Sequence, residues 1–530
     1  MLVEQPFTSS ILPICLDIAL SFPGAFFCLY ILYYCDKTPQ QHTTVPSIPW
    51  SSANKPASQT KPASASSRDE DKNPSKTSTL NADITWLYIA SGERLRRMGE
   101  AFLRLPAWLQ VMLVYAFSRV WGFIIFSVVG NQQLLGPWGQ HLGYLPFIST
   151  WDSSWYGQIA QSGYPSKLPY DSTGAVAQNP WAFYPLFPLI AGGINRITGI
   201  GYYPVAATVA LLAGFAAAWV IYLLFTTSLN IVGYRDQSHG EKVSEAASST
   251  EDPKDVKTSR HNLALWAVAA VAFLPVAPVL QVPYAESLNL VFLVWVLLLM
   301  MRKQYLLMMP VALLACLSRP VGVPLGATAG LWWFACLITE AKAQQQRRQR
   351  GEDQEGFESV FLRSLPQLGS ALFICFCALI WPIYAWQITG RIDAYTATET
   401  AWRQGDLAPV APWISQGIAY FGYFTILMFP LLIVGYAAFL ASPLVKRVLA
   451  SPIILWCACY GAYLLIFLNP QSSTFRLLLP LFPLMLPIVA ISSSRAYRWL
   501  LIGSGALLQL VWVGWLWHWK QLPGGGDYPP

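Results

Sequence analysis

Residues 149–164 read "STWDSSWYGQIAQSGY" and place one carboxylate, Asp152, among aromatic and aliphatic side chains. Thr150 can cap a helix that begins at Trp151, and Gly163 would end it. Asp152 then falls in the first turn, where the helix dipole favours the ionised form. Trp151, Trp155 and Ile159 recur every fourth residue and predict a single apolar stripe. An ionised carboxylate held near a membrane surface can take the proton from an attacking hydroxyl, which is the task of a general base. The alternative is an aspartate that only stabilises its helix.

Two arginines supply complementary chemistry. Arg319 in "LSRPVG" and Arg476 in "SSTFRLLLP" stand at the ends of apolar runs, where a lone cation must snorkel to water or meet an anion. A guanidinium binds phosphate through two parallel hydrogen bonds, which a lysine cannot do. In "NPWAFYPLFPLI", Pro180, Pro185 and Pro188 prevent a regular span, so this backbone is expected to follow the interface and enter a helix toward Arg196. Trp181, Phe183 and Tyr184 there could pack on a lipid chain or a sugar face, or form an ordinary interfacial belt. Glu286 in "YAESL" and the loop acids Asp393, Glu399 and Asp406 are further candidates, each more readily read alone as solvated or structural. Together these residues fit a reaction in which Asp152 deprotonates an acceptor hydroxyl, the hydroxyl attacks an anomeric carbon, and arginine stabilises the leaving lipid phosphate. Such a scheme requires neither a cofactor nor a metal, and no cluster with metal-ligand spacing stands out.

The elements that must position these groups are membrane helices. The 530 residues are 54% hydrophobic and 12% charged, about half the charge of a soluble domain. Runs such as "AATVALLAGFAAAWVIYLLF" are too long and too continuously apolar for barrel strands. The expected fold is therefore an all-α polytopic bundle, with about eleven spans near 106–130, 203–229, 262–280, 284–301, 304–317, 321–339, 366–388, 417–441, 449–468, 475–494 and 498–517. Residues 1–35 read as an accessory apolar segment and 36–105 as a disordered cytoplasmic linker with a basic flank, unless the functional chain begins near Met98. Residues 518–530 read as an external tail.

Lysines and arginines cluster in alternate connections, including "ERLRRMGEAFLR", 235–260, Arg302 with Lys303, and Arg495 to Arg498. The positive-inside rule puts these in the cytoplasm and turns 131–202, 281–287, 318–322, 389–415 and 469–476 outward. The candidate chemistry thus gathers on the outer face. The net charge of +7 belongs to this bias, without the aromatic-interleaved basic groove that nucleic-acid binding requires. Cys375, Cys377, Cys457 and Cys459 lie inside apolar runs and read as small buried hydrophobes.

At "WDSSWYGQIAQSGYPS", "NPWAFYPLFPLI", "VPYAESL" and "CLSRPVG" the chain resembles the GPI mannosyltransferase 2 (PIG-V type) family and its bacterial relatives, integral membrane glycosyltransferases of the GT-C class. The resemblance covers roughly residues 106–517. Over "GYPSKLPYDSTGAVAQNPWAF" it is nearer the actinobacterial branch than the eukaryotic one, which implies a bacterial plasma membrane, or the endoplasmic reticulum for a eukaryotic chain. It implies a GT-C-like fold with a helical first external loop and polyprenyl-phosphate mannose as donor. It further implies inversion at the anomeric carbon, a glycolipid or cell-envelope glycan as acceptor, and Asp152 as catalytic residue. The substrate-binding set is then Trp151, Tyr156, Tyr164, Trp181, Phe183, Tyr184, Glu286, Arg319 and Arg476. Membrane lipids are the expected surroundings, and the resemblance leaves room for a small membrane partner subunit. The competing expectation is a polytopic transporter or lipid flippase, which would call for repeated halves and charges at the midplane. No clear repeat is present, and among core charges Arg119 alone falls far from a span end.

Overall fold

The computed structural model describes residues 97, 99–235, 253–351, 356–403, 408–520 and 530. The accessory segment 1–35, nearly all of the linker and most of the tail lie outside them. From Ala107 onward the chain is a multi-pass all-α membrane protein, with no β-strand among the described residues. Among the described residues six helices are long and apolar enough to cross a membrane, and four shorter apolar helices pack among them.

Helix α1 (Ala107–Asn131) leads into α2 (Asp152–Ser162) and α3 (Leu186–Thr198). Next come α4 (Tyr202–Ile231), α5 (Pro253–Ala272), α6 (Glu286–Met301), α7 (Tyr305–Ser318), α8 (Gly322–Gln349) and α9 (Phe357–Thr389). The loop helix α10 (Ala394–Arg403) is followed by α11 (Ala411–Phe421), α12 (Thr425–Ala441), α13 (Ser451–Phe467) and α14 (Arg495–Trp512). The sequence of α6, "ESLNLVFLVWVLLLMM", has no polar face, and the helix is accordingly buried on nearly all sides between α4 and α7. By contrast α12 buries only Thr425 and Leu440, and its apolar side chains face outward, as a lipid-facing helix requires.

Two expected spans are broken at prolines, and the span 417–441 is interrupted at Gly422–Phe424 between α11 and α12. The span 262–280 ends as an α-helix at Ala272, and Pro275 and Pro278 lead into a 3₁₀ turn at Ala277–Gln281. The charge far from a span end explains itself there: buried Arg119 donates to the carbonyls of Ala277 (2.5 Å) and Ala272 (3.0 Å), the latter left by the break without a helical partner. Gln509 of α14 donates to Ala272 as well (3.3 Å). The other break is at 475–494, where Pro480, Pro483 and Pro487 divide the chain into Thr474–Leu477, a 3₁₀ stretch Leu479–Leu484 and Met485–Ala490.

Gly505 meets the first break directly, because a Cβ there would overlap the carbonyl oxygen of Phe273. Gly505→Ala is expected to cost about 1–3 kcal/mol as overpacking against backbone. Thermal unfolding in detergent measures it, and wild-type stability would show that α14 has room to move.

Candidate active site

Asp152 opens α2, but not as the cap pattern predicts. The helix starts at Asp152, Trp151 is its N-cap, and the Thr150 hydroxyl donates backward to the Phe147 carbonyl (2.9 Å). Trp151 has φ 57°, a conformation that a bulky L-residue rarely adopts. Its indole, donating to the Trp517 carbonyl (3.1 Å) and packed on Trp138, holds it there. The Asp152 backbone N–H donates to the Tyr284 hydroxyl (3.2 Å). Backbone strain maintained by packing on either side is a feature of functional sites. The predicted stripe also divides, since Trp151 packs on Trp517's side while Trp155 stacks on Phe183 (6.0 Å) and meets Trp402 (5.3 Å).

Four charged side chains from distant segments converge. Arg476 Nη1 lies 2.6 Å from Asp152 Oδ2 and 3.3 Å from Glu286 Oε1, and Arg319 pairs with the same Glu286 oxygen. Glu286 begins α6, Arg319 caps the end of α7, and Arg476 sits on the short helix before the second proline break. The cation of Arg476 also lies over the Tyr284 ring at 5.3 Å. Glu286 is neither solvated nor peripheral: it is 5% exposed, and two guanidinium groups compensate its burial. On Asp152, no hydrogen bond occupies Oδ1 among the described residues.

Asp152, Arg319 and Arg476 line a cavity of about 250 Å³ together with Tyr156, Phe183 and Tyr184 of the predicted set. Trp151, Tyr164 and Trp181 do not line it. Trp181 is fully buried in a cluster with Trp381 and Tyr164, donating to the Pro165 carbonyl, while the Tyr164 hydroxyl donates to that of Phe183. These residues support the aromatic wall from behind. The loop acids separate: Asp393 is exposed and paired with Arg391, Asp406 lies outside the described residues, and Glu399 lines the cavity.

No protein-family model matches this chain, and no curated protein matches it.

The residues that sequence reading passed over come from α10, α13 and the turn that follows α13. Trp402, Arg403, Tyr460, Tyr463 and Gln471 complete the cavity wall. A signal was present in "ETAWR", where Glu399 and Arg403 are four apart and so share a helix face. Asn179 anchors α10 to the aromatic segment by donating to Thr398 Oγ1 (2.9 Å) and accepting from the Trp181 backbone N–H.

Burial pushes the Glu399 carboxyl up to about 7 from 4.5, with Tyr395, Arg403 and Arg319 opposing the shift. The folded protein therefore binds a proton here that the unfolded chain releases, and stability falls as pH rises through about 7. Glu399→Gln should remove that loss, leaving little difference from wild type at pH 5 and an advantage on the order of 2 kcal/mol at pH 8. Parallel melting profiles from pH 5 to 8 would refute it.

Proposed function

We propose that this chain is a membrane-embedded glycosyltransferase of the GT-C class. It transfers mannose from polyprenyl-phosphate mannose to a hydroxyl of a glycolipid or glycan acceptor at the outer membrane face, in a bacterial plasma membrane. The observation that supports this reading is the cavity in which a carboxylate with one free oxygen faces guanidinium groups and an aromatic wall.

In the proposed reaction Arg476 holds Asp152 Oδ2, so that Oδ1 is the oxygen presented to the acceptor. The acceptor O–H gives its proton to Oδ1 as its oxygen forms a bond to the anomeric carbon. The bond from that carbon to the phosphate oxygen breaks on the opposite side, its electron pair leaves with the phosphate, and the configuration inverts. Arg476 orients the carboxylate before the transfer. The aromatic rings of Phe183 and Trp402, which line the cavity, offer faces to a sugar and exclude water from the reacting carbon.

The test is incubation of membranes containing the chain with labelled polyprenyl-phosphate mannose, followed by identification of the labelled product. Transfer of label to a hydroxyl acceptor supports the reading. Label that crosses the bilayer still attached to its polyprenyl phosphate would replace it with transport.

A further inference from the structure

The proposed reaction ends with a phosphate that must be held, and the arginines predicted to hold it are already engaged. Asp152 and Glu286 carry two negative charges, Arg319 and Arg476 two positive ones, and the four form one paired group. Such a group offers an incoming anion little net attraction, and an arginine that turned to a phosphate would abandon a buried carboxylate.

Arg403 is placed differently. It ends α10 and lines the same cavity, yet its Nε and Nη2 are shut off from solvent and meet no hydrogen-bond partner among the described residues. Buried donors of this kind are rare in folded proteins and call for an acceptor. Nε–H and Nη2–H are the two donors on one edge of the guanidinium, the fork that grips two oxygens of a phosphate or carboxylate at once. The frame around them is fixed. The Arg403 carbonyl accepts from Asn469 Nδ2 (2.6 Å) and Gln471 Nε2 (3.2 Å), and the neighbouring Trp402 indole donates to the Asn179 carbonyl (3.1 Å). Glu399, one turn back on the same helix face, forms no ion pair with Arg403 within 4.0 Å. Leu464, Phe467 and Leu468 continue the cavity wall beside Arg403 as apolar surface, which suits a phosphate that arrives on a lipid chain.

We propose that Arg403 is the residue that binds the lipid-linked phosphate, its guanidinium turning so that Nε–H and Nη2–H, covered in this structure, each donate to one non-bridging oxygen. Arg319 and Arg476 are then positioning residues, which hold the two carboxylates. This assignment rests on the lipid-phosphate reading of the site, and the two can fail separately.

The experiment uses full-length protein in nanodiscs and measures binding of polyprenyl phosphate, of the corresponding polyprenol and of inorganic phosphate by native mass spectrometry. Wild type should prefer polyprenyl phosphate over polyprenol. Arg403→Gln should lose about 30-fold in affinity for polyprenyl phosphate, the worth of a pair of charge-assisted hydrogen bonds. Its affinity for polyprenol should not change. Arg403→Lys, which keeps the charge without the fork, should fall between the two. If Arg403→Gln and Arg403→Lys both bind polyprenyl phosphate within twofold of wild type, the assignment is overturned and the lipid-phosphate reading survives. If wild type binds polyprenol as tightly as polyprenyl phosphate, both fail. Inorganic phosphate binding as tightly as the lipid would make the site one for free phosphate and overturn the lipid source.

Discussion

Asp152→Asn is expected to lower turnover of polyprenyl-phosphate mannose by about 10³-fold, the range assigned to loss of a general base. Asparagine keeps the volume and can still accept a hydrogen bond from Arg476, but it cannot take a proton from the acceptor. The fold should survive, because Arg476 retains Glu286 at 3.3 Å and α2 remains anchored through the Trp151 indole and the Asp152 backbone N–H. The measurement pairs turnover with thermal unfolding of the same sample. Undiminished turnover would remove Asp152 from the chemistry, and a large fall in stability would make it a structural anchor instead.

Removal of Glu286 should act mainly on stability. In Glu286→Ala, Arg319 loses its carboxylate partner and Arg476 keeps only Asp152, so two buried cations face each other with one anion between them. Breaking a buried pair from one side costs about 3–5 kcal/mol, since the remaining charge stays desolvated. Glu286→Gln should be milder, because its amide oxygen can still accept from one guanidinium. Turnover should fall with stability in both, as Arg476 is drawn off its alignment with Asp152. Wild-type unfolding in Glu286→Ala would mean that water already screens the cluster, and the argument for reserving Arg319 and Arg476 to the carboxylates would go with it.

Much of the helical layout was legible in the sequence because membrane spans are set by local composition: a run of about 20 apolar residues is a span wherever it falls. The helix of Asp152 was legible too, down to its end at Gly163, although Thr150 turned back to Phe147 and left Trp151 in the cap position. The two broken spans were less so, because proline marks where a helix must yield but not where its freed carbonyls find donors. Arg119, the charge that looked out of place, is the donor for Ala272 and Ala277.

What the sequence by itself determined is a polytopic helical protein with an isolated acid between its spans and two arginines at span ends, since charge in an apolar chain is costly enough to be conspicuous. Only the tertiary structure decided which charges meet. Glu286 lies 190 residues from Arg476 in the chain, and no local pattern says that both arginines share one of its oxygens. Packing likewise turned Tyr164 and Trp181 into a support behind the cavity and brought Arg403 to its wall with two donors unspent. Spans are read from the free energy of leaving water, which each segment carries alone, whereas a site is made by long-range contacts that exist only once the helices have packed.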